Sequence, residues 1–107
     1  MQQLDAQALK SWLDDASRAK PVLLDVRETW EFELCKLSGS TLVPMSTIQG
    51  RLDELNRDAE TVVICHHGGR SMQAALFLER QGFGRVFNLT GGVDAWAQTV
   101  DTTMARY

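Results

Sequence analysis

"TVVICHHGGRSMQAALFLERQGF", residues 61–83, is the stretch from which the fold is read. Thr61–Ile64 is a β-branched run with no polar alternation, the pattern of a strand covered on both faces. From Ser71 to Phe83 the composition turns helical, with Ala74, Ala75, Leu78 and Met72 forming an apolar face. Gly82 stands where a helix would close. Strand, short polar loop, helix is the unit of an α/β fold built on a parallel sheet. Such sheets place their sites beyond the carboxyl ends of the strands, and residues 65–71 occupy that position.

The flanking sequence repeats the unit. Residues 5–18 read as a helix, with Asp5 as N-cap and Leu9, Trp12, Leu13 and Ala16 on one face. "PVLLDVR" (21–27) is a second buried strand, and residues 29–37 hold a short helix. "TLVPM" (41–45) is a short strand closed by Pro44. Ser46 or Thr47 caps a helix running through Leu55, with Ile48, Leu52 and Leu55 inward. "RVFNL" (85–89) is a further strand, and 91–100 starts with two glycines and then turns helical. Three polar clusters therefore fall at strand carboxyl ends: Asp25 to Arg27, Cys65 to Ser71, and Asn88 to Gly92.

The whole chain sets outer bounds. At 107 residues it suits one compact domain, 1–107. A net charge of −3 argues against a basic face for nucleic acid. The apolar runs are too short to span a membrane, and the first fifteen residues lack a secretory pattern, so a cytoplasmic location is expected. Two cysteines, Cys35 and Cys65, are too few for a disulfide framework.

The loop after Cys65 admits three chemistries. A zinc site wants three or four ligands at knuckle or helical spacing, whereas Cys65, His66 and His67 are adjacent; no metal is expected. A Cys–His hydrolase normally takes its histidine from a distant part of the chain, and both histidines here are neighbours of the cysteine. An anion cradle fits the order of residues best. Gly68 and Gly69 permit positive φ and close backbone approach, the helix start adds partial positive charge, and Arg70 adds a full one. All three favour a thiolate at Cys65 and would hold an anion attached to its sulfur. An inert buried thiol fits poorly with the Gly-Gly-Arg-Ser that follows.

At this point the residues resemble a known family. "CHHGGRS" is similar to the active-site loop of rhodanese-like sulfurtransferases, whose usual form is Cys-Arg-x-Gly-x-Arg-Ser. "LLDVRETWEFELCKLSGSTLVPM" resembles the family's Asp-Val-Arg-Glu segment through to its Ile-Pro. "GFGRVFNLTGGVDAW" resembles its Gly-Phe to Gly-Gly-x-x-Ala-Trp segment. The match runs from about residue 4 to 100. It implies a five-stranded, mostly parallel sheet flanked by helices on both faces, a catalytic Cys65 and no cofactor. His66, His67, Gly68, Gly69, Arg70 and Ser71 would bind substrate, with Asp25 and Arg27 in support. The implied reaction moves a sulfane sulfur from thiosulfate or a persulfide, through a Cys65 persulfide, to a thiol, cyanide or protein acceptor. A sulfur-carrier module is the alternative. The resemblance also implies that Arg70 ties the loop to an acidic neighbour, with Asp25 as the expected anchor. Cys65 to Arg70 spans six residues; the related dual-specificity phosphatases place their arginine one position later, which disfavours phosphate or arsenate chemistry.

Two departures stand out. His66 replaces the usual arginine, removing a permanent charge near pH 7 and favouring a less charged donor over the thiosulfate dianion. Cys35-Lys36-Leu37 stands at the family's Gly-His-Ile, and Cys35 is read as structural. Trp30 is expected near the pocket rim, Trp12, Phe77 and Trp96 in the core, and Gly91–Gly92 in a tight turn beside the site.

Overall fold

A computed structural model describes residues 1–107. The strands are β1 (Gln2–Leu4), β2 (Val22–Asp25), β3 (Thr41–Leu42), β4 (Thr61–Ile64) and β5 (Val86–Leu89). The helices are α1 (Ala6–Asp14), α2 (Thr29–Leu34), α3 (Gly69–Arg80) and α4 (Gly92–Thr99), and a 3₁₀ helix covers Met45–Glu54. The strands form one sheet in the order β1-β5-β4-β2-β3, and every pairing is parallel.

The register explains where the polar clusters meet. Asp25 lies opposite Ile64, and Val63 opposite Asn88. Parallel strands all end on one side, so Asp25, Cys65 and Asn88 arrive at one edge of the sheet. Successive strand residues face opposite ways. Val63 and Cys65 therefore join the layer with Ala74, Ala75 and Leu78 of α3 and Ile48 of the 3₁₀ helix. Val62 and Ile64 pack on the other side with Leu9 and Trp12 of α1 and Val93 and Trp96 of α4. All four β4 residues are buried, as the absence of alternation in the sequence requires.

Several details differ from the sequence expectation. β1 falls where no strand is expected: three residues, two of them glutamine, carry no apolar period, and only backbone pairing to β5 makes them a strand. α1 keeps its Asp5 cap, whose carboxylate accepts the Ala8 amide at 2.8 Å, but stops at Asp14 and leaves Ala16 exposed. Asp15 competes there by accepting the Ser17 amide and hydroxyl, which favours a turn over another helical turn. Residues 45–54 are 3₁₀ rather than α, and only Ile48 is buried. Gly50 and the β-branched and hydroxylated residues before it have weak α propensity, and the Thr47 hydroxyl donates back to the Pro44 carbonyl. Met72 is 38% exposed, on the outer side of α3. Phe77 is only partly buried, against the α3-side core.

Candidate active site

β4 delivers Cys65 and the chain then turns through His66, His67 and Gly68 into α3. Gly68 has φ of +104°, and a Cβ there would press on the Gly91 amide at 3.2 Å and the Leu89 carbonyl at 3.3 Å. That conformation aims the Gly68 amide at Cys65 Sγ, 3.1 Å away. The next amides belong to the first turn of α3, which has no intrahelical acceptors for them. The cysteine sulfur thus sits at a helix N-terminus, where negative charge is stabilised. Cys65 is 1% exposed, and both cysteines are free thiols.

Ser71 and Asn88 extend the site below the sulfur. Ser71 Oγ lies 3.3 Å from Cys65 Sγ and donates to Asn88 Oδ1 at 2.5 Å. Asn88 Nδ2 donates in turn to Gln3 Oε1 at 2.9 Å. A hydroxyl has one proton. Ser71 therefore either donates to Asn88 and accepts from a Cys65 thiol, or turns that proton toward a thiolate. Both Ser71 and Asn88 are buried, so water does not supply a substitute.

The other wall is the start of α4. The Val93 amide donates to the Cys65 carbonyl at 2.9 Å, and the Asp94 amide to the His66 carbonyl at 3.1 Å. These are first-turn donors of α4, used to hold the loop backbone. The approach is possible only because residue 92 is glycine. Its φ is +56°, and a Cβ would collide with the carbonyls of Cys65 and His66.

Two ion pairs stand behind the loop. Arg70 grips Glu31 at two points, Nη1 to Oε1 at 2.7 Å and Nη2 to Oε2 at 2.9 Å. Arg27 and Asp25 form the second pair, both fully buried, with Nη2 to Oδ2 at 2.8 Å and Nε to Oδ1 at 3.0 Å. The acidic anchor of Arg70 is therefore Glu31 and not Asp25. The reason is satisfaction of valence: Asp25 gives both oxygens to Arg27 and has none to spare. The Arg70 hydrogen bonds, against an opposing burial effect, hold the Glu31 carboxyl down at about 2. Burial works against the Arg27 charge, yet the hydrogen bonds of Asp25 and Tyr107 outweigh it and raise its affinity for the proton.

Glu31 carried a signal in the sequence. It is the third residue of α2, and its Oε1 also accepts the Glu28 amide at 3.0 Å, half of a capping box. Tyr107 carried none. Its hydroxyl donates to Glu31 Oε2 at 2.6 Å and accepts from Arg27 Nη1 at 2.9 Å. Burial, then the Glu31 contact, pushes its phenol up to about 12.

The histidines form a stack with Tyr107. The His66 ring lies 3.9 Å from the Tyr107 ring at 11°, and 3.9 Å from the His67 ring at 31°. Burial, and then the neighbouring His67, lower the His66 pKa, so it is neutral near pH 7. His67 is outermost, with Nε2 at 3.7 Å from Asp94 Oδ2. His66, His67 and Asp94 thus bring three potential ligand atoms within 4.8 Å of one another, which adjacency in sequence did not suggest. Asp94 is already engaged by Arg106 at 3.1 Å and by Gln98 at 2.8 Å. Trp30 stands at the rim, 60% exposed and edge-on to Tyr107 at 5.5 Å.

Comparison with known proteins follows the same lines. The family model for the rhodanese-like domain matches residues 5–99. A sulfurtransferase of Allochromatium vinosum is 35% identical over 96 residues, covering 90% of this chain and 88% of that protein. The thiosulfate sulfurtransferase GlpE of Pseudomonas fluorescens is 34% identical over 85 residues, covering 79% of this chain and 78% of that protein. The crystal structure of a rhodanese-like domain protein from Staphylococcus aureus superposes with a TM-score of 0.83 at 29% identity, covering 100% of this chain and 99% of that one.

Proposed function

The chain belongs to the rhodanese-like domain family, and from that premise we propose that residues 1–107 act as one sulfurtransferase domain whose nucleophile is Cys65. The observation that carries this reading is the Gly68 amide at 3.1 Å from Cys65 Sγ, at the mouth of a helix. An amide so placed would stabilise the Cys65 thiolate, and the free first-turn amides of α3 next to it would face the terminal sulfur of a persulfide anion. Relatives named for sulfur transfer support the reaction class.

In the proposed first half-reaction, Cys65 thiolate attacks the outer sulfur of a sulfane donor. With thiosulfate, the S–S bond breaks, its electron pair leaves with sulfite, and Cys65 carries a persulfide anion. In the second, cyanide or a thiolate attacks the terminal sulfur and the Cys65 thiolate is restored. Two covalent half-reactions give ping-pong kinetics. Gly68 and Ser71 would hold the Cys65 sulfur, and the first-turn amides of α3 the persulfide anion. Arg70, committed to Glu31, would keep the cradle in shape. Asp25 and Arg27 would support that frame from beneath.

The donor we propose is a persulfide of low charge at the reacting end, in preference to thiosulfate. Support comes from the charge inventory: Arg70 and Arg27 are both paired, and His66 is neutral near pH 7. A protein acceptor is a second reading, favoured by the exposed Trp30 at the rim, since exposed tryptophans anchor protein contacts.

Mass measurement after treatment with thiosulfate and, separately, glutathione persulfide tests the proposal. One added sulfur in the wild type and none in Cys65→Ala is the expected result. No adduct with either donor, together with turnover of a phosphate ester, would overturn it.

A further inference from the structure

The residues after α4 return to the site and are pinned three times. Met104 packs on the core layer of α1 and α4. Arg106 pairs with Asp94, at 3.1 Å and 3.3 Å. Tyr107 makes the third and most connected contact. Its hydroxyl bridges the side chains of both ion pairs behind the loop: it receives from Arg27 and gives its proton to Glu31, whose backbone carbonyl Arg27 Nη1 also reaches directly at 3.3 Å. Arg27 is immobile, 0% exposed and held at once by Asp25 and by the Cys35 carbonyl at 2.6 Å. The Glu31 backbone is thus held by Arg27 itself, while the position of its carboxylate is passed from that rigid base through the hydroxyl, and on to Arg70 in the first turn of α3, next to the Cys65 cradle. On its other side the Tyr107 ring covers His66, the residue whose carbonyl is held by Asp94. The loop is clamped between α4 below and this ring above.

We infer that Tyr107 is a positioning residue for the reaction at Cys65: its hydroxyl joins the Asp25–Arg27 and Glu31–Arg70 pairs, and its ring clamps the first residue of the cradle. The inference rests on the sulfur-transfer reading for its kinetic consequence and on the hydrogen bonds and ring stack for its geometry. The two parts of the side chain have separable effects. Losing the hydroxyl loosens Glu31 and Arg70 but leaves the stack. Losing the ring uncovers His66 as well. His67, Asp94 and Glu31 are the other titratable groups facing His66; both variants keep His67 and Asp94 in place and free Glu31 of the hydroxyl alike, so a difference between the two reports the ring.

Two full-length variants, Tyr107→Phe and Tyr107→Ala, separate these effects. Three measurements apply to each: turnover of thiosulfate with cyanide, the rate of Cys65 alkylation by iodoacetamide at pH 7, and the NMR titration of the His66 imidazole. In Tyr107→Phe, kcat falls about tenfold, the rate equivalent of one hydrogen bond to a charged group, while KM stays within about twofold. Its alkylation rate falls with kcat, and its His66 titration stays where it was. In Tyr107→Ala the same losses appear and the His66 titration moves up toward the ordinary histidine range. A Tyr107→Phe protein with wild-type kcat, KM and alkylation rate would overturn the role of the hydroxyl. An unmoved His66 titration in Tyr107→Ala would overturn the role of the ring. Absence of wild-type turnover with thiosulfate and with glutathione persulfide alike would sink the sulfur-transfer reading instead, while alkylation and titration would still judge the clamp.

Discussion

Arg70 and Glu31, 39 positions apart in the chain, meet in a two-point ion pair that joins the first turn of α3 to the first turn of α2. Glu31 is the buried partner, its side chain 4% exposed, while Arg70 is 40% exposed. The pair has consequences for stability, for the loop and for acid tolerance.

The acid limb follows from the sign of the shift. Glu31 lies at about 2 when folded, below its ordinary 4.5. A depressed carboxyl contributes stability that is present above 4.5 and lost as the pH falls toward 2. Allowing for screening at the half-open arginine, the contribution is about 2 kcal/mol. Urea unfolding at pH 6, 4 and 3 should show the wild type losing somewhat over half of that amount by pH 3, with Glu31→Gln less stable at pH 6 and flatter below. Parallel curves for the two proteins would contradict this account.

Two glycines of positive φ should respond very differently to alanine. Gly39 has φ of +82° and open space where a Cβ would go, so Gly39→Ala should cost only about 1 kcal/mol of conformational strain. Gly92 has the added collision with the carbonyls of Cys65 and His66, and Gly92→Ala should lose more than about 3 kcal/mol and all activity. Denaturation midpoints of the two variants decide the matter; similar midpoints would mean the α4 start does not grip the loop.

Below the sulfur, Ser71 and Asn88 are unequal. Ser71→Ala deletes the hydroxyl 3.3 Å from Cys65, and the iodoacetamide rate at pH 7 should drop about tenfold. Asn88→Ala frees the Ser71 proton for the sulfur, so its rate should stay within about twofold of wild type despite a modest loss of stability. A larger rate loss in Asn88→Ala than in Ser71→Ala would reverse the assigned direction of that hydrogen bond.

The missing charge at position 66 can be restored. His66→Arg should lower KM for thiosulfate, because the dianion then meets a permanent cation in place of an imidazole that burial keeps neutral. For the wild type, KM for thiosulfate should improve only below the ordinary histidine range, where His66 gains its proton. An unchanged or raised KM in His66→Arg would show that charge at this position does not limit binding.

How much of this was legible depended on whether the signal was local. The run Thr61–Ile64, its glycine-bearing loop and the apolar face of α3 are neighbours in the chain, so sequence alone determined a parallel α/β unit with a cysteine at its carboxyl end. Glycine at 68 and 92 could be read as turn chemistry for the same reason, since positive φ is a property of the residue itself. Only the tertiary structure decided which groups surround that cysteine. Asp25 and Glu31 are both carboxylates near a strand end, and no pattern says which one Arg70 finds; full burial of the Asp25–Arg27 pair left Glu31 as the free partner. β1, with two glutamines, became a strand only because β5 offered an unpaired edge. Tyr107 lies outside every periodic segment, and its place over His66 arises from contacts 76 and 80 positions away. Local periods report backbone shape, whereas long-range charge satisfaction and ring packing depend on which surfaces the fold brings together.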